Sequence, residues 1–214
     1  MVSEVPYNFF MRRNLGILHG LLGTIVLGGW GCATELPSLV DQTQITGSLV
    51  VGRVLTLLTG ETSRRYAPAV RFFELEDQTS QKRFQVEIKS SDRYFAVDLP
   101  PGRYRLTRVQ ISEGPFMSMA DLSMAFLVDA GVTMYVGAWR FGVDSPRYGR
   151  MVVASAVTDQ AETARVRDFL DDRYPTVNKR TMVEAIPQPA QIEARLYEVT
   201  PYPRYSRYFR RHWW

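Results

Sequence analysis

Cysteine occurs once in this chain, histidine twice and lysine three times, and each scarcity closes off a class of chemistry. A single thiol, Cys32, supports no disulfide framework, so the fold must stand on its hydrophobic core. Both histidines, His19 and His212, lie near the ends of the chain. The body therefore lacks the usual general base of a serine or cysteine nucleophile and most catalytic zinc sets. Also missing are a phosphate-cradling glycine loop, a D-x-D-x-D-G calcium loop and any internal repeat. The net charge is +4, carried almost wholly by arginine, and Arg204, Arg207, Arg210 and Arg211 all stand in the last eleven residues. The body is then near neutral, which argues against nucleic acid as a partner. Hydrophobic residues make up 45% and charged residues 22%, ample for one globular domain.

Leu15 to Trp30 is an apolar run, shorter than the roughly 20 residues that cross a bilayer. It follows Arg12 and Arg13 and ends at Gly31 and Cys32, the charged, apolar and small-residue order of a secretory signal. Glycines at 16, 20, 23, 28, 29 and 31 weaken it as a permanent helix. The stretch LGGWGCATE resembles a bacterial lipoprotein signal. That resemblance implies cleavage before Cys32 and lipidation of its sulfur, making residues 1–31 a signal peptide with Met11 as a second start position. Gly31 and Cys32 fit the pattern, whereas Gly29 and Trp30 depart from it. Two other readings stand beside this one. An ordinary signal peptidase could cut after Ala33, discarding Cys32, or the segment could remain as an uncleaved anchor. Buried acyl chains contribute about 0.8 kcal/mol per methylene, so two of them hold a domain on a membrane.

Residues 32–43 are expected to be a polar tether and 44–199 a single domain. The spacing of short β-rich runs and turn clusters predicts a mainly β fold, an antiparallel β-sandwich with one α-helix from the C-terminal half packed on it. In FQVEIK, Phe84, Val86 and Ile88 face one way; in YFAVDL, Phe95, Val97 and Leu99 do so, and the two strands are expected to pair through SSDR. The segment PPGRYRLTRVQI opens with a proline-glycine turn. Its inward phase slips between Tyr104/Leu106 and Val109/Ile111, predicting a β-bulge near Thr107 and Arg108. ADLSMAFLV and RMVVASAV are further strands, with ITGSLVVGRVLTLLT and AVRFFELE as the first ones. VTMYVGAWRFGV is apolar on both faces, with Met134 and Val136 opposed to Tyr135, Trp139 and Phe141, and should be central or helix-covered. TDQAETARVRDFLDDRYP reads as a helix over about 159–173, capped by Thr158 or Asp159 and stopped by Pro175. AQIEARLYEV is expected as a closing strand.

LPPGRYRL after an alternating strand, together with ITGSLVVGRV, resembles the prealbumin-like (or Ig-like) sandwich of carboxypeptidase regulatory-like and collagen-binding B-type domains. FLVDAGVTMYVGAWRF followed by SAVTDQAETARVRDFLDDRYP is similar to the second half of a group of uncharacterised bacterial envelope lipoproteins. The resemblance covers about residues 44–176. It implies a non-enzymatic binding or scaffolding domain in the cell envelope, lipid-anchored and, since Ala33 rather than Asp follows the cysteine, on the outer membrane facing the periplasm. Internal Lys–Asn bonds found in some relatives are not expected with so little lysine.

Candidate sites are few. Asp121, Asp129, Asp144, Glu74, Glu76 and Asp77 could pair as in a glycosidase or bind calcium, but read better as solvated turn residues; no catalytic, metal or cofactor residue is assigned. Tyr135, Trp139 and Phe141 are either core or a ligand groove, and Trp139 would be the residue to stack on a sugar. Phe116, Met117 and Met119 are expected on a loop between strands, as a lid or contact surface. In the tail, residues 200–214, the partner-binding candidates are Tyr205, Arg207, Tyr208, Arg210, Arg211, Trp213 and Trp214, whose aromatic rings and guanidinium groups suit a membrane interface, a polyanion or a protein. The functional expectation is an interaction or assembly module held on the membrane through Cys32, with an envelope protein or polysaccharide as partner. Carbohydrate or peptidoglycan binding is the alternative, and a carboxylate-dependent hydrolase a third.

Overall fold

A computed structural model describes residues 33–59, 66–89, 93–144, 150–177 and 181–199. The strands are β1 (Thr34–Leu36), β2 (Ser48–Leu58), β3 (Pro68–Asp77), β4 (Arg83–Glu87), β5 (Tyr94–Leu99), β6 (Gly102–Glu113), β7 (Phe116–Val128), β8 (Thr133–Val143), β9 (Met151–Val157), β10 (Met182–Glu184), β11 (Gln191–Arg195) and β12 (Tyr197–Glu198); α1 is Gln160–Arg173. They form two sheets. The first runs β1-β4-β3-β6-β7-β12, the second β11-β9-β8-β2-β5, with β10 beside the start of β8. The mainly β sandwich with one helix is thus as the sequence predicts. The sheets are mixed, however, because β2 pairs β8 in parallel and β1 pairs β4 in parallel. Parallel neighbours need a long crossover, and here the chain between β2 and β8 builds most of the first sheet.

Alternation places the expected residues in the core. Tyr104, Leu106, Val109 and Ile111 are all buried, and the register slips between Leu106 and Arg108, as the phase change at Thr107 predicts. Leu122, Met124, Phe126 and Val128 of β7 face the same core. In β8 the phase also slips, which corrects one expectation: Trp139 and Phe141 lie with Met134 and Val136 between the sheets, and Tyr135 alone points to the helix side. The cause is Gly137, whose φ of +86° admits a bulge where β2 advances two residues against three of β8.

Strands β4 and β5 do not pair. Sequence proximity suggests a hairpin, yet β5 joins β2 in the other sheet. In β5, Phe95, Val97 and Leu99 fill the core between the sheets, and Tyr94 and Ala96 fill a second cluster under the helix. A hairpin with β4, whose outer face carries Gln85 and Glu87, would leave Tyr94 and Ala96 in water. The closing segment likewise splits. Gln191–Arg195 pairs β9, Leu196 turns the corner buried, and Tyr197–Glu198 pairs β7 in the other sheet.

Residues 33–43 are no tether. Thr34, Glu35 and Leu36 add to the edge of β4, and Val40 donates to the Ala96 carbonyl (2.9 Å). The reason is an apolar pattern within a polar stretch: Leu36 packs on the core between the sheets, and Leu39 and Val40 on the helix-side cluster. The helix begins at an Asp159 cap that accepts from the Glu162 amide. It packs Val166 and Leu170, with Tyr174 after it, against Leu49, Val51 and Tyr135. Arg53 and Glu162 (3.1 Å) fasten its first turn to β2, and Phe169 stacks on Tyr94 at 4.5 Å. No helix among the described residues is long and apolar enough to cross a membrane.

Two tyrosines make this packing measurable. The Tyr135 hydroxyl is buried without a hydrogen-bond partner among the described residues, and an unmet buried hydroxyl costs about 1–3 kcal/mol. Tyr135→Phe should therefore hold or raise the stability measured by urea unfolding, and a clear loss would refute this packing. Tyr104 donates to the Pro100 carbonyl (2.9 Å), and burial pushes its phenol from 10.0 up to about 12. The unfolded chain then loses this proton first, so the stability it lends is complete below pH 10 and drains away as pH rises towards 12. Tyr104→Phe should flatten that alkaline decline.

Candidate contact surface

The registers give the sandwich two distinct ends. One, the Asp77 end, carries the β3–β4, β5–β6 and β7–β8 connections, and there the Gly131 amide of the β7–β8 connection donates to Ser48 Oγ (3.0 Å) at the start of β2. At the other, the Phe116 end, β2 finishes, β3 starts and β6 turns into β7; Thr56 Oγ1 donates to the Pro68 carbonyl (2.8 Å) there.

Phe116 and Met117 are at this second end, on β7 and not on a loop. The turn before them is short because Gly114 takes a φ of +59°, and the Tyr66 ring lies where a Cβ at Gly114 would have to go. Strand parity still governs. Phe116 has the parity of the core residues but overhangs the end of the sandwich, 44% exposed. Met117 is on the outer face, its sulfur 3.5 Å from Arg71 Nη1. Met119 follows on the same face, paired to Tyr197. Leu57 and Leu58, at the end of β2, and Tyr66 are exposed at the same end. Sequence reading missed these three, although LTLLT carries two leucines beyond the last residue the core can hold.

Beneath the exposed rim the two sheets are clamped. Arg150, just before β9, donates to Ser118 Oγ of β7 (3.3 Å) and pairs with Glu113 at the end of β6; both charged side chains are 13% exposed. Beside them the chain returns: β12 pairs with Met119 and Ser118, and the Val199 amide donates to the Met117 carbonyl (3.0 Å). Val199 is the last residue described before the basic-aromatic tail. Tyr205, Arg207, Tyr208, Arg210, Arg211, Trp213 and Trp214 lie outside the described residues, as does Cys32.

The other candidates are dispersed or buried. Trp139 is 2% exposed, with Phe73 and Phe95 rings 5.0 Å away and its Nε1 donating to the Val136 carbonyl, so it cannot stack on a sugar. Glu76 is shared by Arg105 (2.6 Å) and Arg83 (3.6 Å), and Arg108 bridges Glu74 (3.5 Å) and Asp121 (3.1 Å). Asp77 closes its own turn; the Ser80 hydroxyl and then the Thr79 amide hold its carboxyl below the usual range. Asp129 and Asp144 follow β7 and β8 at opposite ends of the sandwich. No group of three or more metal-ligating side chains occurs among the described residues. Comparison with protein-family models, with curated proteins and with solved structures finds no match for this chain.

Removing one partner of a largely buried ion pair leaves an uncompensated charge and costs about 3–5 kcal/mol. Arg150→Ala should lower stability by roughly 3 kcal/mol, and Glu113→Ala should cost much less in that background than alone. Additive losses in the four-protein cycle would show that the pair does not clamp the sheets.

Proposed function

We propose that the chain is a non-enzymatic envelope lipoprotein, anchored by acylation of Cys32 on the outer membrane facing the periplasm, whose sandwich serves as an interaction or assembly module. One observation supports the assignment of the contact region: the Val199–Met117 hydrogen bond ends the described chain beside the place where Leu57, Leu58, Tyr66 and Phe116 are exposed. Leu57, Leu58, Tyr66 and Phe116, from segments far apart in the sequence, are thereby exposed at one end of the sandwich. Its chemistry is aromatic and aliphatic with arginine beside it, the composition of anchors at protein interfaces. The resemblance to prealbumin-like binding domains and the arginine pairing of Glu74, Glu76 and Asp121 favour binding over carboxylate catalysis. Sugar binding would fall to Tyr66, Phe116 or Tyr197, since Trp139 is enclosed.

The test is affinity capture from detergent-solubilised envelopes with three proteins: the full chain, a chain lacking residues 201–214, and Phe116→Ser. Both variants should lose the same retained proteins, the point variant by about ten-fold in affinity, as for an interface anchor worth 1–2 kcal/mol. An unchanged set with both variants would remove this end from the function. Retention of glycan strands in place of protein would move the reading to a carbohydrate-binding module.

A further inference from the structure

We infer that the Asp77 end of the sandwich lies on the bilayer, so that the Phe116 end is held away from the membrane in which the lipid sits. The inference rests on the acylation of Cys32 proposed above. Its structural ground is the missing slack after that residue. Only Ala33 separates Cys32 from β1, and one residue spans about 3.5 Å. From Thr34 onward the chain is fixed to both sheets. Thr34, Glu35 and Leu36 pair with Phe84, Gln85 and Val86. Ala96 then donates to the Ser38 carbonyl (2.7 Å), Val40 donates to the Ala96 carbonyl, and the Tyr174 hydroxyl donates to the Val40 carbonyl (2.9 Å).

The register decides which end is close. Thr34 opposite Phe84 puts Ala33 level with Arg83, at the Asp77 end of the first sheet. Across that end, Asp77 donates its amide to the Lys82 carbonyl, Gln78 donates to the Arg103 carbonyl, and Arg103 stands opposite Leu127. Lys82, Arg83, Arg103 and Leu127 are exposed, Leu127 by 56%. Long cationic side chains with an apolar neighbour suit the headgroup layer. Glu35, Asp77 and Asp129 share this end, so its charge is nearly balanced and the covalent tether, not attraction to anionic lipid, sets the orientation. β6 spans the sandwich in 12 residues, which places the Phe116 end about 40 Å from the Asp77 end. The contact surface then points into the aqueous space, towards a partner that is not in the anchoring leaflet.

The experiment uses the lipidated full chain in phosphatidylethanolamine–phosphatidylglycerol vesicles carrying a headgroup-attached nitroxide. A fluorophore is placed on Thr79→Cys or on Leu58→Cys, and intact mass first reports the acyl groups on each protein. The Thr79 probe should lose most of its emission and the Leu58 probe should keep its own, at low and high salt alike. Acylated protein with equal or reversed quenching overturns the orientation while leaving the anchor intact. An order seen only at low salt overturns the tether as its cause. Protein without lipid at Cys32 overturns the anchored reading and this orientation with it.

Discussion

The structure depends on one strand being buried on both faces. β8 has ten of its eleven residues buried, so a covering layer is required on each side: the first sheet on one and α1 on the other. Its indole, Trp139, is enclosed by Phe73, Phe95 and Phe126 from three other strands, which ties the centres of both sheets together. Because β8 is bulged at Gly137, one strand serves the core between the sheets over both of its halves and still turns Tyr135 to the helix. β2 and β5 beside it inherit the same two-sided environment, and that environment pulls β5 away from β4.

With the interior so occupied, polar chemistry is displaced to the outer face of the first sheet and to the two ends. Glu74 and Glu76 are on that outer face yet only 7% and 5% exposed, because Arg83, Arg105 and Arg108 lie over them. Carboxylates held this way are engaged with cations and do not converge on a cleft. At the ends, the Asp77 turn is polar and closed on itself, whereas the Phe116 end leaves apolar side chains beyond the Arg150–Glu113 clamp. That asymmetry is the physical basis for proposing the Phe116 end as the binding end, whereas the proposed anchoring at the Asp77 end rests on the short link from Cys32 to β1.

Local chemistry was legible in the sequence. Alternation marked the inward residues of β6 and β7, the phase slip at Thr107 marked a bulge, and Thr158 or Asp159 with Pro175 bounded the helix, because each depends on neighbours a few residues away. The bulge at Gly137 leaves no such mark, since a strand apolar on both faces shows no break in pattern when its phase changes. Of the contact surface, Phe116 and Met117 were visible as apolar residues near a turn. Their strand position and the company of Leu57, Leu58 and Tyr66 were not, for those residues meet only after three strands are in register.

By itself the sequence determined a mainly β sandwich with one helix, a core without disulfides, and a single cysteine placed after an apolar run. Only the tertiary structure decided which strands share a sheet, that residues 34–40 belong to the body, and that Val199 comes to lie beside Met117. The reason is one of range. Turns, caps and faces follow from side chains close in sequence, while strand partnership follows from which distant surface buries both faces of a strand at once.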